Sequence, residues 1–158
     1  MPTVRSTGIV KKCVLGAGLL TAGLGPSIAP AALGEPEVSV KSDVARMRGS
    51  IKVTENANYR SHEIQTPSGT VVREFAGADG KVFAIVWSGP VMPNLRQTLG
   101  QYFGNYVAAA QANRSGHHHL DIQQTDLVVH ASGHMRAFSG IAYLPQAVPG
   151  GVSIGELQ

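Results

Sequence analysis

The stretch "TVVREFAGADGKVFAIVWS", from Thr70 to Ser88, decides the fold. Its second half, Val82 to Trp87, is an unbroken run of apolar side chains, which is typical of a strand covered on both faces. The Asp79-Gly80 pair between the two halves is a hairpin signal. The stretch therefore predicts two antiparallel strands, the second of them at the centre of a sheet.

A third strand precedes these two. The segment "YRSHEIQ", Tyr59 to Gln65, has the composition of a strand, and the "TPSG" that follows it contains Pro67 and Gly69, which suit a tight turn. Together the three segments predict a three-stranded antiparallel meander.

An amphipathic helix follows the central strand. Asn94 suits the N-cap position, and six apolar residues recur at the three- and four-residue spacing of one helical face up to about Asn113. Gly100 and Gly104 lower helix stability, so they need a packing reason, and close approach to the sheet is the one we expect. A partner helix in a homodimer is the alternative. The apolar face consists of Leu95, Leu99, Tyr102, Phe103, Tyr106 and Ala110.

A second meander of two or three strands closes the chain. The segments "LDIQQ", "TDLVVHAS" and "HMRAFSGIAYL" return to a period of two, with Ser132-Gly133 as the predicted hairpin turn. On the last strand this places Met135, Ala137, Ile141 and Tyr143 on one face, with Ser139 as the polar exception. His134, Arg136 and Phe138 would share the other face. The predicted fold is a single α+β domain, and the alternative is a small barrel closed around the helix.

Composition divides the chain into four segments. We predict a signal peptide at 1–31, an N-terminal arm or short helix at 32–50, the core domain at 51–145 and a C-terminal tail at 146–158. The first segment has a basic start, the apolar run "VLGAGLLTAGLG", and Ala29 and Ala31 at the spacing that signal peptidase accepts. Cleavage after Ala31 predicts a periplasmic or secreted protein. An uncleaved anchor is the alternative, but two prolines interrupt the apolar segment that it would need.

Removal of the signal peptide changes the charge and the cysteine content. Three of the 13 basic residues and none of the ten acidic ones precede residue 32, so the mature chain carries ten of each. Its neutral balance gives no support to a nucleic-acid partner. The single cysteine, Cys13, is also lost. We therefore expect a domain that is stabilised by its core without disulfides, and that has no stable membrane span after cleavage.

Three segments carry a resemblance to a known family. They are "VREF" at Val72–Phe75, "VFAIVWSGPVMPNLRQTLGQYF" at Val82–Phe103 and "LVVHASGHMRAFSGIAYLP" at Leu127–Pro145. The chain resembles the exported proteins of Gram-negative bacteria catalogued as domain of unknown function 2844 (DUF2844), and the resemblance covers most of the mature chain. It implies export, but no activity, cofactor or fold.

The family motif maps onto this chain with two departures. Asn94 stands where an Asp is expected, and Ile141 stands where an Arg is expected. The triple histidine at 117–119 lies outside the motif, which argues against a shared active site there. The motif positions are Arg73, Trp87, Gly89, Pro90, Pro93, Leu95, Gly100, Tyr102, Phe103, Gly133, His134, Met135, Arg136, Phe138, Tyr143 and Pro145.

The histidines give little support to a metal site. A zinc site needs three or four ligands at one point, whereas adjacent histidines in an extended segment alternate in direction. We expect no metal and no cofactor. The weak alternative is a site formed by His117, His119, His130 and His134.

Catalytic motifs are equally weak. Ser132, His134 and Asp126 supply the residue types of a hydrolase triad, but no "GxSxG" turn accompanies them. Carboxylate pairs such as Glu63 with Glu74 occur in any domain of this size. We expect no catalytic residues.

The candidate binding residues are Arg73, His134, Arg136 and Phe138. Cations beside an aromatic ring on an exposed strand suit a carboxylate, a sugar or a protein partner. The alternative is that the two arginines pair with Glu63 or Glu74 and stabilise the sheet.

Two functions of different class follow. The first is a non-enzymatic exported binding or assembly module whose partner is another protein of the cell envelope. The alternative is a small-molecule or metal-binding enzyme that uses His134 and Arg136.

Overall fold

The computed structural model describes residues 33–112 and 119–158, and these residues contain one seven-stranded antiparallel sheet. The strand order across the sheet is β1-β2-β3-β4-β7-β6-β5. Helices precede β1 and separate β4 from β5, so the predicted α+β class is confirmed. The strands are β1 Ser50–Glu55, β2 Tyr59–Gln65, β3 Val71–Gly77, β4 Val82–Gly89, β5 His119–Gln123, β6 Val128–His134 and β7 Ala137–Tyr143.

Strand β4 lies at the centre of the sheet, as its sequence predicts. It pairs with β3 on one side and with β7 on the other, so it joins the two meanders. All six residues from Val82 to Trp87 are buried. Because successive side chains of a strand point to opposite faces, this burial means that both faces of the sheet are covered at β4.

Helices cover one face of the sheet, which we call the helix face. They are α1 (Val40–Met47), α2 (Leu95–Leu99) and α3 (Phe103–Ala112). Trp87 is 1% exposed at the centre of the apolar cluster beneath them. The other buried members of that cluster include Val40, Ile64, Val72, Ile85, Leu99, Val129 and Ala142.

The C-terminal residues 145–158 pack on the opposite face, which we call the tail face. Two short 3-10 turns, Pro145–Ala147 and Ile154–Leu157, form this tail. Leu157 is 1% exposed and packs in a second apolar cluster with Phe75, Phe83 and Ile141. The tail therefore completes the core on the face that the helices leave open.

The first meander has four strands, whereas the sequence predicted three. The additional strand β1 pairs with β2 along its whole length, from Ser50 opposite Gln65 to Glu55 opposite Arg60. All six residues of β1 are exposed. The strand is held by backbone pairing at the sheet edge, and its apolar residues Ile51 and Val53 are exposed.

The predicted single helix after β4 is interrupted. Asn94 caps α2, since its side-chain oxygen accepts a hydrogen bond from the Gln97 N–H at 3.4 Å. A 3-10 turn, Gly100–Tyr102, then separates α2 from α3. Gly100 has φ of 52°, which disfavours residues with a side chain and explains this glycine. A Cβ atom at Gly104 would meet nothing within 4 Å, so the close approach expected there is wrong.

The last hairpin turns three residues later than predicted. Strands β6 and β7 stay paired up to His134 opposite Ala137, so the turn consists of Met135 and Arg136. Arg136 has φ of 64°, in the left-handed region. The prediction of a turn at Ser132-Gly133 is therefore wrong, and Met135 and Arg136 are not part of a strand.

Candidate functional site

An open groove lies on the tail face, over the junction of the two meanders. Its volume is about 360 Å³, within the range of about 300–1,000 Å³ that is usual for ligand sites. Strands β3, β4, β6 and β7 form its floor, and Gln158 of the tail lies along it. The polar residues that line it are Arg73, Ser88, His119, His130, Ser132, Ser139 and Gln158.

Arg73 lies at one end of the groove and is the predicted binding residue that lines it. It is opposite Val86 on β4, and its side chain is 34% exposed. The Arg73 Nε atom lies 3.8 Å from Glu63 Oε2, and Nη1 donates to the Leu157 carbonyl at 3.5 Å. Both contacts are long, so the guanidinium is oriented by the sheet and the tail without being tightly bound by either. The ion pair with Glu63 is the one the sequence offered as an alternative.

Serine side chains form a row across the groove. Ser88 on β4 is opposite Ser139 on β7, and Ser139 is opposite Ser132 on β6. The Ser132 and Ser139 hydroxyls are hydrogen-bonded at 2.9 Å. The row gives the groove a line of groups that can both donate and accept hydrogen bonds.

Histidines form the end of the groove farthest from Arg73. His119 on β5 is opposite Ser132, and His130 on β6 is opposite Asp121. The His130 Nδ1 atom lies 3.1 Å from Asp121 Oδ1. This contact orients the imidazole ring.

The other predicted binding residues do not share one face. His134 is opposite Ala137, and both belong to the tail face. Phe138 is opposite Gly133 on the helix face, where a Cβ atom at Gly133 would lie 2.7 Å from the phenylalanine ring. Arg136 lies in the turn between them. The shared face expected for His134, Arg136 and Phe138 is therefore wrong, and none of the three lines the groove.

The predicted metal-ligating histidines are not clustered where the structure describes them. His119, His130 and His134 lie on the tail face, while His117 lies outside the described residues. In 33–112 and 119–158, no three His, Cys, Asp or Glu side chains come together to hold a metal ion.

A buried carboxyl pair lies on the helix face, and sequence reasoning missed it. Asp43 of α1 and Glu74 of β3 are both 0% exposed. Burial first, and then the charge and hydrogen bond of Asp43, raise the pKa of Glu74 well above its usual value. Glu74 therefore keeps its proton to a higher pH than an exposed glutamate does. Gln97 of α2 donates to Asp43 Oδ1 at 2.9 Å, and the pair thus ties α1 and α2 to the sheet.

An ion-pair network lies beside the carboxyl pair. The His62 Nε2 atom is 2.7 Å from Glu37 Oε1, and Arg60 Nη1 donates to the same oxygen at 2.7 Å. Burial alone would raise the pKa of Glu37, but its hydrogen bonds with Arg60 and His62 outweigh burial and lower that pKa. His62 is opposite Glu74, so both networks join the N-terminal segment to the helix face.

The sequence contained a signal for the buried carboxyl pair and another for the groove. Glu74 alternates with Val72 and Ala76, so its position in the strand is a core position that happens to hold a carboxyl group. Ser139 interrupts the apolar face that continues with Ile141 and Tyr143, and this exception marks the groove floor. Neither signal identifies the opposing partner, because that depends on strand pairing.

The described residues contain no helix that is long and apolar enough to cross a membrane. Comparison with known proteins found a family match over residues 29–157, to a model described as "Protein of unknown function (DUF2844)". No curated protein and no solved structure matches the chain. Since the match covers most of the sequence, and includes the groove and the carboxyl pair, the chain belongs to the DUF2844 family.

Proposed function

We propose that this chain is a non-enzymatic binding module that is exported to the periplasm or secreted, and that it contacts a partner protein of the cell envelope through the tail-face groove. The observation that carries the proposal is the groove itself. It combines a partly exposed arginine, a row of hydroxyl groups and a histidine end on one open face. Such a surface recognises a ligand by charge and hydrogen bonding.

The hydrogen bonds of the groove favour binding over catalysis. A nucleophilic serine must contact its general base. His130 and Asp121 form the base half of such a system, but the Ser132 hydroxyl is hydrogen-bonded to Ser139 instead. The alternative enzyme that uses His134 and Arg136 gains no support from the groove, which neither residue lines.

Export is supported by the N-terminal sequence pattern. Residues 1–31 have the basic start, apolar run and small-residue spacing of a signal peptide. The family match begins at residue 29, close to the predicted cleavage position after Ala31. An intact mass that starts at residue 32 in the envelope fraction would support export, and an unprocessed chain in the cytoplasm would overturn it.

Photocrosslinking from inside the groove tests the binding function. Ser139 is exposed and lies in the groove, while Thr54 is an exposed hydroxyl residue of β1 outside it. We expect a photoreactive residue at 139 to give one product of defined mass with an envelope protein, and one at 54 to give none. The product should disappear with Arg73→Ala and persist with Arg60→Ala. Equal products from both positions, or none from either, would contradict the proposal.

A further inference from the structure

The tail-face side chains form two parallel rows that run across the strands. The first, which we call the charged row, crosses from β2 to β5 through successive cross-strand partners. The second is the serine row described above, which ends at His119. The two rows are adjacent, because each strand places its next residue on the same face two positions away. The charged row is Glu63, Arg73, Val86, Ile141, His130 and Asp121.

The two polar ends of the groove are too far apart to hold one small ion. Arg73 is on β3 and His130 is on β6, with β4 and β7 between them. Three strand spacings of about 4.8 Å separate their backbones by about 14 Å. A ligand that contacts both residues must therefore be elongated, and it must lie across the strands.

Between the two ends, the tail packs on the apolar members of the charged row, while Ser88 and Ser139 of the serine row are exposed. Val86 and Ile141 are 6% and 1% exposed, and they form the middle of the charged row. The serine row runs beside them. An extended peptide suits this pattern, because its backbone amides can bond the hydroxyl groups of the serine row. At about 3.4 Å per residue, four residues span the distance between Arg73 and His130.

The positive charge of Arg73 favours a negatively charged ligand group at its end of the groove. Its guanidinium has five N–H donors, and the contacts with Glu63 and Leu157 are long and use two nitrogen atoms. A ligand carboxylate can take a forked contact there that is shorter than either. At the other end, Asp121 holds His130, so this end favours a neutral polar group over a second anion.

We propose that the groove binds an extended segment of about four residues across the strands, with a carboxylate at Arg73 and a neutral polar group at His130. The inference rests on the proposed function, for which it names the ligand chemistry. The carboxylate is either the C-terminus of the partner or an acidic side chain. Both sources present the same group to the arginine.

Titration of the purified mature protein with synthetic peptides, followed by NMR of its backbone amides, tests the inference. The probes are acetylated tetra-alanine with a free C-terminus, the same peptide amidated, an amidated tetrapeptide with a final aspartate, acetylated di-alanine with a free C-terminus, and acetate. We expect saturable shifts on β4, β6 and β7 with the first peptide and at least ten-fold weaker binding of its amide. Binding by the aspartate peptide would identify a side-chain carboxylate as sufficient.

Variants separate the two ends of the groove. Arg73→Gln should weaken the tetrapeptide and the dipeptide at least ten-fold, while Arg60→Gln should change neither. His130→Ala should weaken only the tetrapeptide, because the dipeptide does not reach it. Equal binding of acetate, dipeptide and tetrapeptide would overturn the elongated mode, and equal binding of free and amidated peptides would overturn the carboxylate.

The two proposals can fail separately. A crosslinked partner that is retained after Arg73→Ala would leave the binding function standing and overturn the carboxylate inference. If none of the peptides shifts the groove resonances, the inference is wrong whatever the crosslinking shows.

Discussion

Arg73 and Glu74 are neighbours in sequence, yet they lie in opposite environments. Arg73 faces the open groove, with its side chain 34% exposed. Glu74 faces the helices and is fully buried against Asp43. One step along a strand separates a side chain that remains accessible to a partner from one that is used entirely within the protein.

The comparison shows how the two faces divide the polar residues between them. A polar group under the helices must find its partner inside the protein, since burying it without one costs several kcal/mol, on the order of 2–7. Gln97 of α2 donates a hydrogen bond to Asp43 of α1, and Asp43 lies against Glu74 of β3, so these residues connect both helices to the sheet. Groups on the tail face have no such requirement. The binding function that we propose uses the tail face, whereas Asp43 and Glu74 interact within the protein.

The largest expected difference between the faces is in unfolding free energy. Glu74→Ala removes a fully buried side chain and leaves a cavity beside Asp43, so we expect a loss of about 3 kcal/mol at pH 7. Arg73→Ala removes only long contacts at a partly exposed side chain, and we expect about 0.5 kcal/mol or less. Denaturant unfolding followed by the fluorescence of Trp87, the single tryptophan, measures both. Similar losses for the two variants would contradict the division between the faces.

The pH dependence of stability should sharpen the comparison. The pKa of Glu74 is raised well above 4.5 in the folded chain, so the folded state keeps a proton that the unfolded state releases. This contribution is fully present below pH 4.5 and is lost as the pH rises through the raised pKa. Over that interval the unfolding free energy should fall on the order of 1 kcal/mol per pH unit. Glu74→Gln keeps a donor for Asp43 but cannot ionise, and it should remove this slope.

Glu63→Gln is the matched control for the pH experiment. Glu63 is also a strand glutamate, but it lies on the tail face with its side chain 46% exposed. We expect its variant to keep the slope of the unmodified protein. If the slope survived Glu74→Gln, the buried pair would not hold a proton as we predict. If Glu63→Gln removed the slope, the titrating group would lie on the tail face and the prediction would be wrong.

The sequence predicted the parts of the fold that burial determines. The apolar run from Val82 to Trp87 correctly indicated a central strand, and the turn signals between β2, β3 and β4 were correct. Strand β1 was missed, although Ile51 and Val53 alternate with polar residues as they do in a strand. None of its residues is buried, so neither apolar side chain contributes to the core.

The sequence did not predict the groove, and of the four predicted binding residues only Arg73 lines it, because the groove depends on strand register. Ser88, Ser132 and Ser139 become neighbours when β4, β7 and β6 pair, and strand order could not be derived from the sequence. The predicted turn at Ser132-Gly133 carries small, flexible residues, whereas the observed turn contains Arg136 at φ of 64°. Arginine rarely adopts this conformation, so its presence in the sequence does not indicate a turn.

The smallest predicted effect is the change in unfolding free energy when Arg136, in the turn between β6 and β7, is replaced by glycine. The sign of this change distinguishes a turn from a strand at that position. Glycine adopts a left-handed conformation without the steric cost that a side chain imposes. Arg136→Gly should therefore raise the unfolding free energy by about 0.5 kcal/mol. If Arg136 instead lay inside a strand, as the sequence suggested, glycine would lower the free energy by about 1 kcal/mol. The same fluorescence measurement distinguishes the two signs.

Arg48→Gly is the matched control for Arg136→Gly, because Arg48 has the same left-handed conformation at the end of α1. Arg48 ends α1 in the left-handed conformation, with φ of 51°. Among the described residues, Arg48 and Arg136 are the two non-glycine residues with positive φ. Both variants should stabilise the protein by similar amounts. If Arg48→Gly raised the unfolding free energy and Arg136→Gly lowered it, the observed position of the last hairpin turn would be wrong. A register shift of one residue in this hairpin would place Ser132 and His130 on the helix face. The groove exists only in the observed register, so the sign at Arg136 also tests whether the serine row faces the tail.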